Sequence, residues 1–176
     1  MSGVRAGLAA LVLAVAADQA RAGTPIDAAE ATDLARFAPF VDWPASAFAS
    51  ATSSFRLCIL GDDPFGPALD QAVSGQQVQA HPMEVRRLQT ADGVGACHIL
   101  YVRSPRPADI AEAMTQLRGA PVLVVTDEAS APLGAIRFVV REGRVRFIID
   151  AAAATAAGVH ISSKLLSLAV RPEPAS

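Results

Sequence analysis

The first residues that could support chemistry are the carboxylates and glycines of "FRLCILGDDPFG", residues 55–66. Gly61 and Gly66 have the outer spacing of a phosphate-binding loop, but Pro67 and Ala68 follow where that loop requires a lysine and a hydroxyl. The middle glycine of a dinucleotide-binding fingerprint is also missing. The sequence therefore excludes both of these nucleotide sites.

Asp62 and Asp63 could instead form the acidic pair of a phosphorylation site. Such a site also needs an aspartate after the third strand and a lysine after the last one. Arg103 occupies the first of these positions, and the only lysine, Lys164, lies in the closing helix. We predict a structural turn in which Asp63 caps the next helix and Pro64 occupies its first position.

Metal ligands and nucleophiles are equally sparse. The histidines are far apart and none pairs at i, i+4 with another ligand, so His98 is expected to be a core side chain. Residues 162–164, "SSK", lack the S-x-x-K order of a serine–lysine nucleophile, and the serines suit a helix cap. The sequence predicts no metal, no cofactor, no catalytic residues and no enzymatic activity. The histidines are His81, His98 and His160.

The elements that would position these residues alternate between strands and helices. Two apolar strands flanked by helices indicate a parallel sheet covered on both faces, hence a single three-layer α/β domain with a mostly parallel sheet. The pattern predicts helices over 27–41, 63–75, 107–119 and 161–169, and strands over 55–61, 83–89, 97–102 and 121–127, of which 83–89 is polar and outer.

Residues 135–150, "AIRFVVREGRVRFIID", extend this sheet as an antiparallel hairpin. Apolar and polar residues alternate on both sides of a Glu142-Gly143 turn, which is typical of a hairpin. One face is expected to be buried and the other to be cationic. The buried face comprises Ile136, Phe138, Val140, Val145, Phe147 and Ile149, and the cationic face comprises Arg137, Arg141, Arg144 and Arg146.

Residues 1–22 have the pattern of a secretory signal peptide. An apolar stretch of about a dozen residues, 6–17, precedes the small-x-small cleavage site Ala20-Arg21-Ala22. An uncleaved anchor is the alternative, but a span needs about 20 apolar residues and Asp18 interrupts this one. We expect cleavage and release into the periplasm, with no later membrane insertion.

Length and charge limit the domain number and the partners of the mature protein. The chain has 176 residues, of which 52% are hydrophobic and 18% charged, enough for one well-buried domain. Removing the leader changes the formal net charge from −2 to −3, which does not favour nucleic-acid binding. We divide the chain into a leader (1–22), an N-terminal helix and linker (23–54) that pack with an α/β domain (55–171), and a tail (172–176).

Cys58 and Cys97 are the only cysteines, and an oxidising periplasm favours their pairing. The first and third strands of such a sheet are usually neighbours about 4.8 Å apart, a distance that a disulfide can bridge. Closing this loop could contribute about 3 to 4 kcal/mol. The alternative is two buried thiols, and a bond between adjacent parallel strands could also be strained and redox-labile.

With these elements in place, the sequence resembles the YfiR family of small periplasmic proteins. The resemblance covers nearly all of the mature chain in the family's order. The matching segments are "FAPFVDWP" (37–44), "LCILGDDPFG" (57–66), "CHILYV" (97–102), "PVLVVTD" (121–127), "GAIRFVV" (134–140), "GRVRFIID" (143–150) and "AAGVHISSKLLSLA" (156–169).

The resemblance implies a regulator that binds the periplasmic sensor domain of an inner-membrane diguanylate cyclase, a GGDEF protein. Inhibition would restrain cyclic-di-GMP synthesis and biofilm formation, and redox conditions or an outer-membrane lipoprotein would relieve it. The pair Cys58 and Cys97 matches cysteines that the family can oxidise, and a homodimer is plausible. The chain departs from the family at Leu133 and Asp150, and it lacks a second cysteine pair near the hairpin.

Two features could contact the partner. Trp43 follows two phenylalanines and is a candidate anchor, although such a cluster is often core. The hairpin residues Arg137, Phe138, Arg141, Arg144 and Arg146 could dock on an acidic domain, although charge on an edge strand also prevents aggregation. A small-solute sensor is the alternative function, because open α/β sheets bind ligands at the carboxyl ends of their strands; a hydrolase is a third.

Overall fold

The computed structural model describes residues 24–104, 106–130 and 134–172. The expected signal peptide lies outside these residues, as does the tail from residue 173. The first helix, α1 (Pro25–Phe37), begins at a capping box in which Thr24 and Asp27 bond each other's backbone and side chain. It ends four residues before the expected position 41 because Pro39 has no N–H and cannot continue a helix.

The elements after α1 alternate as the sequence predicts, with three additions: a strand at residues 77–78, a helix at residues 151–156 and a second, small sheet. A two-stranded antiparallel sheet, unforeseen from the sequence, joins the linker after α1 to a segment near the end of the chain. The remaining bounds are β1 (Val41–Asp42), β2 (Phe55–Gly61), α2 (Pro67–Val73), β3 (Gln77–Val78), β4 (His81–Leu88), β5 (Ile99–Arg103), α3 (Pro107–Gln116), β6 (Leu123–Thr126), β7 (Ile136–Arg141), β8 (Arg144–Ile149), α4 (Ala151–Ala156), β9 (His160–Ile161) and α5 (Ser163–Leu166).

The main sheet has seven strands in the order β3-β4-β2-β5-β6-β7-β8. Strands β4, β2, β5, β6 and β7 run parallel, while β3 and β8 are antiparallel to their neighbours. The polar strand β4 lies near the edge, with only the two-residue β3 beyond it. The predicted α/β class, with a mostly parallel sheet and a C-terminal antiparallel hairpin, is confirmed.

Two hydrophobic clusters lie on opposite faces of this sheet. On one face, α1 and α2 pack on the sheet through Leu34 and Leu69. On the other face, α3 packs on it through Ile110 and Leu117. Strand residues alternate between the two clusters, with Leu57 and Ile59 in the first. Helices on both faces explain why the central strands read as continuous apolar runs.

The predicted start of α2 is wrong. Gly66 is the N-cap residue and Pro67 is the first helical residue. Asp63 instead accepts hydrogen bonds from the backbone N–H groups of Phe65 (2.8 Å) and Gly66 (3.1 Å). Because this side chain forms its own turn with the next residues, the chain continues past Pro64 before the helix can begin.

Hairpin burial differs from the prediction at several positions: Val145 and Ile149 are only partly buried, and Ile148 on the opposite face is buried. Val140, expected in the core, is 39% exposed, whereas Val139 on the opposite face is 1% exposed. Near its centre, β7 carries buried side chains on both faces of the sheet. Strict alternation between a buried and an exposed face therefore fails there.

Candidate functional site

The disulfide predicted between Cys58 and Cys97 is present, with the two Cα atoms 5.9 Å apart. That distance is typical of natural disulfides. Strands β2 and β5 are neighbours as expected, with Cys58 opposite Leu100. Cys97 was expected early in its strand but lies two residues before β5, after a short 3-10 helix. The bond thus joins β2 to the segment that leads into its neighbour.

Both sulfur atoms are shielded from solvent. Cys58 is 1% exposed and Cys97 is 5% exposed, and both belong to the cluster under α3. A cavity of about 130 Å³ borders the disulfide and is lined partly by the polar side chains of Arg56, Arg86 and Asp92. A small reductant could reach the sulfur atoms only through this cavity or after local opening.

The four hairpin arginines share one face of the β7–β8 hairpin. The register places Arg141 directly opposite Arg144 at the tip, and Arg146 opposite Val139. Like charges in directly opposed positions destabilise a strand pair. Arg141 also binds Glu128, with Nη1 2.9 Å from Oε1, which neutralises part of this charge. The face remains cationic, and Arg144 at its tip is exposed.

Two residues proposed as partner contacts are not on the surface. Trp43 is 5% exposed, and its ring contacts Phe55 edge to face with centroids 4.8 Å apart. Phe138 is fully buried and stacks on Phe37 at 5.5 Å. The alternative of a core cluster is confirmed for Trp43. In this conformation neither side chain can anchor a partner.

Two of the histidines, His81 and His98, form part of an aromatic stack at the amino ends of the parallel strands. His98 is buried and accepts a hydrogen bond at Nδ1 from the Arg56 backbone N–H (3.0 Å). It also stacks on Phe55 at 4.6 Å. Burial, followed by the charge of Arg56, lowers the pKa of His98 to about 4. The predicted core role of His98 is confirmed.

No metal centre is evident in the part of the chain that the structure describes. There, no three histidine, cysteine, aspartate or glutamate side chains come together as ligands for an ion. Asp63, considered above for a phosphate or metal turn, binds Arg87 instead, with Nε 2.7 Å from Oδ2. Arg87 also donates two hydrogen bonds to Asp70 at 2.8 and 3.0 Å. This network ties α2 to β4.

Sequence reasoning missed a buried polar cluster at the carboxyl ends of β5 and β6. Tyr101, fully buried, donates its hydroxyl hydrogen to Asp127 Oδ2 (2.8 Å). Arg103 Nε lies 3.6 Å from the same oxygen. Glu30 of α1 is 5% exposed and lines the same cavity as Arg103 and Asp127. The sequence did contain one sign that Glu30 is buried, because Glu30 shares a helical face with the apolar Leu34 and Phe37.

The electrostatics of this cluster are unusual. Burial, followed by the charges of Asp127 and Asp27, raises the pKa of Glu30 to about 7. Burial and the charge of Asp127 also raise the pKa of Tyr101, so its hydroxyl remains a donor near neutral pH. The cluster therefore holds one carboxyl group that is only partly ionised at neutral pH.

Among the residues that the structure describes, no helix is both long and apolar enough to cross a membrane. Comparison with curated proteins found no match. The YfiR/HmsC-like family, whose members are periplasmic regulators of cyclic-di-GMP signalling rather than catalysts, matches residues 27–170. Within the described residues, that match spans all the helices and strands except the first residues of α1. The chain therefore belongs to the YfiR/HmsC-like family.

Proposed function

We propose that this protein binds the periplasmic sensor domain of an inner-membrane diguanylate cyclase and holds the enzyme inactive. Cleavage of residues 1–22 would release it into the periplasm, where it acts by contact and not by turnover. The result is restrained cyclic-di-GMP synthesis and biofilm formation. The observation that carries this proposal is the family match over residues 27–170.

The cationic hairpin face is the surface we propose for docking. Its charge is concentrated at Arg141 and Arg144 near the exposed tip. A cationic face of this kind suits an acidic partner domain, because complementary charge speeds association and fixes the orientation of docking. Phe138 would support this surface from the core, whereas Trp43 packs on Phe55 of β2, which two other strands separate from β7.

The disulfide is the element that we propose links this function to redox conditions. It is buried beside α3, so its reduction would loosen β2 relative to the segment before β5. Reduction would lower the population of the folded inhibitor and thereby release the cyclase. The hairpin itself carries no cysteine, so redox control here would act only through Cys58 and Cys97.

The first test is genetic. Deletion of the gene is expected to raise intracellular cyclic-di-GMP and matrix production in the native host. Expression of the secreted protein in the deletion strain is expected to return both to the wild-type level. Expression of the protein without residues 1–22 should leave both at the raised level, because the product stays in the cytoplasm. An unchanged cyclic-di-GMP level in the deletion strain would refute the proposed function.

The second test is direct binding to the periplasmic domain of a GGDEF protein from the same organism. Arg141→Glu combined with Arg144→Glu is expected to weaken binding by at least about tenfold and to reduce its salt dependence. The matched control is Arg118→Glu combined with Arg171→Glu, at exposed arginines outside the hairpin; it should bind as wild type. Equal losses in both double variants would exclude the hairpin as the docking surface.

A small-solute sensor remains a second candidate, and one observation favours it. The buried polar cluster borders a cavity at the carboxyl ends of β5 and β6, where open α/β sheets commonly bind ligands. A homodimer of this protein is also compatible with the family.

Sedimentation of the mature protein at several concentrations would establish its oligomeric state.

A further inference from the structure

A cavity of about 160 Å³ lies between α1 and the ends of β5 and β6. Asp27 and Glu30 line it from the first turns of α1, and Arg103 and Asp127 line it from the two strand ends. Phe138 of β7 contributes an apolar wall. Its walls thus combine an apolar surface with several charged groups, which is typical of a site for a small polar molecule.

Two carboxylates in this cavity have unused hydrogen-bonding capacity. The Glu30 carboxylate makes no hydrogen bond or ion pair with any described residue. Asp127 Oδ1 is buried and has no partner among the described residues, although Oδ2 of the same group is bonded to Tyr101. Asp127 is 6% exposed. Buried carboxylate oxygens without donors are strongly disfavoured, so the site lacks a donor group.

The other acids nearby are already bonded. Asp27 accepts from the backbone and side chain of Thr24 in the capping box. Glu128 accepts from Arg141 and from the Val140 N–H (3.1 Å). Arg103 is the one cation from β5 near Glu30. Among the described residues that line the cavity, Glu30, Asp27 and Asp127 therefore outnumber the one cation, Arg103.

We propose that this cavity binds a small organic cation whose ammonium or guanidinium group donates hydrogen bonds to Glu30 and Asp127 Oδ1. A donor-bearing cation satisfies both open carboxylates and balances the excess negative charge. A metal ion is a poorer fit, because no three ligating side chains converge in the described part of the chain. A cavity of about 150 Å³ can hold benzene, so the ligand has about six non-hydrogen atoms.

Binding would connect elements that the chain brings together only by folding. Glu30 belongs to α1, Asp127 follows β6, and Phe138 in the cavity wall belongs to the hairpin. A bound cation would hold α1 against this edge of the sheet, and it would stabilise the folded state in proportion to ligand occupancy. The site itself does not depend on the proposed partner; only its regulatory consequence does.

Isothermal titration calorimetry on the mature, oxidised protein at constant ionic strength tests the proposal. The probes are methylguanidinium and putrescine, which carry N–H donors, and tetramethylammonium, which carries the same charge type without donors. We expect saturable binding of one equivalent of at least one donor cation and no saturable binding of tetramethylammonium.

Variants identify the site. Glu30→Gln is expected to weaken binding by at least about tenfold, because it removes the ionic acceptor. Glu112→Gln, at an exposed glutamate of α3, is the matched control and should bind as wild type. Glu30 makes no hydrogen bond that folding requires, so circular dichroism should show a folded variant.

The pH dependence provides a test that needs no variant. Glu30 faces Asp27 and Asp33 on its own helix, and Asp127 and Arg103 on the sheet. Because the cation binds the ionised carboxylate, affinity is expected to fall as the pH is lowered below about 7, approaching about tenfold per pH unit. Asp127 reinforces this trend, since it favours the protonated form of Glu30 in the empty site.

Several results would overturn the proposal. One is the absence of saturable binding by either donor cation up to about 10 mM, an affinity too weak for a built site. Another is unchanged affinity in Glu30→Gln or at acid pH. Tighter binding of Ca²⁺ than of the organic cations would also overturn it. Cation binding by a protein that fails to bind any sensor domain would preserve this inference and refute only the proposed function.

Discussion

Replacing Glu30 by glutamine tests the electrostatics of the buried cluster in the protein without ligand. The pKa of Glu30 is raised from 4.5 to about 7 by burial and by neighbouring carboxylates. Glutamine has nearly the same shape but stays neutral at every pH. The variant should therefore be more stable than the wild type wherever the wild type must bury an ionised Glu30.

The size of the effect follows from the two pKa values. The native state binds this proton more tightly than the unfolded state, so the stability due to protonation is complete below pH 4.5 and is lost as the pH rises through 7. At 1.36 kcal/mol per unit, the shift corresponds to at most about 3 kcal/mol at pH 8. Arg103 lies nearby and favours the ionised form, so the measured value should be somewhat smaller.

The measurement is urea unfolding at pH 5, 6, 7 and 8, followed by circular dichroism. Urea is preferable to guanidinium because guanidinium is one of the proposed ligands. His98 acts in the opposite direction, because its lowered pKa makes stability fall as the pH drops from 6.5 toward 4. The difference between variant and wild type cancels this contribution.

The expected result is a free-energy difference of at most about 1 kcal/mol at pH 5 that grows to about 2 to 3 kcal/mol in favour of Glu30→Gln at pH 8. Glu112→Gln should show no such pH dependence. A constant difference across the range would mean that Glu30 titrates as an ordinary glutamate, and the account of this cluster as a poorly solvated acidic site would then be wrong.

Three further predictions concern the fold. Replacing Cys58 and Cys97 together by serine should lower the free energy of unfolding by about 4 kcal/mol, the entropic value for a loop of this length; urea unfolding measures it. Phe37→Ala should cost about 3 to 5 kcal/mol, because it removes a buried ring that packs on the hairpin; the same assay applies. Gly61→Ala should cost more than about 1 kcal/mol, because Gly61 has φ +88° and a Cβ would overlap the Arg103 carbonyl oxygen; thermal unfolding measures it.

Each of these has its own control. Dithiothreitol should lower the stability of the wild type but leave that of the double serine variant unchanged. A loss of stability in the variant would show that dithiothreitol does not act through this disulfide. Phe40→Ala, at a half-buried ring, should cost less than Phe37→Ala. Gly75→Ala shares a positive φ, but its Cβ would meet open space. A cost for Gly61→Ala no larger than for Gly75→Ala would show that crowding at Arg103 is unimportant.

The sequence alone determined those features whose physics is local or periodic. Continuous apolar runs such as residues 55–61 identify strands covered on both faces, and alternation over 135–150 identifies a hairpin with its arginines on one side. The neighbouring positions of Cys58 and Cys97 followed from the usual winding of such a sheet. Each inference needs only the chain within one element or a rule that relates adjacent elements.

Only the tertiary structure decided how distant segments share space. The sequence favoured a core position for Trp43 but left a surface anchor open until its ring was found against Phe55. The helical face of Glu30 indicates that its side chain could be buried, but nothing local shows that α1 covers the end of β6 and brings Glu30 near Asp127. Burial and electrostatic coupling depend on which surfaces are in contact, and these contacts are set by the packing of the whole domain. The fold was therefore largely readable from sequence, whereas the acidic cavity was not.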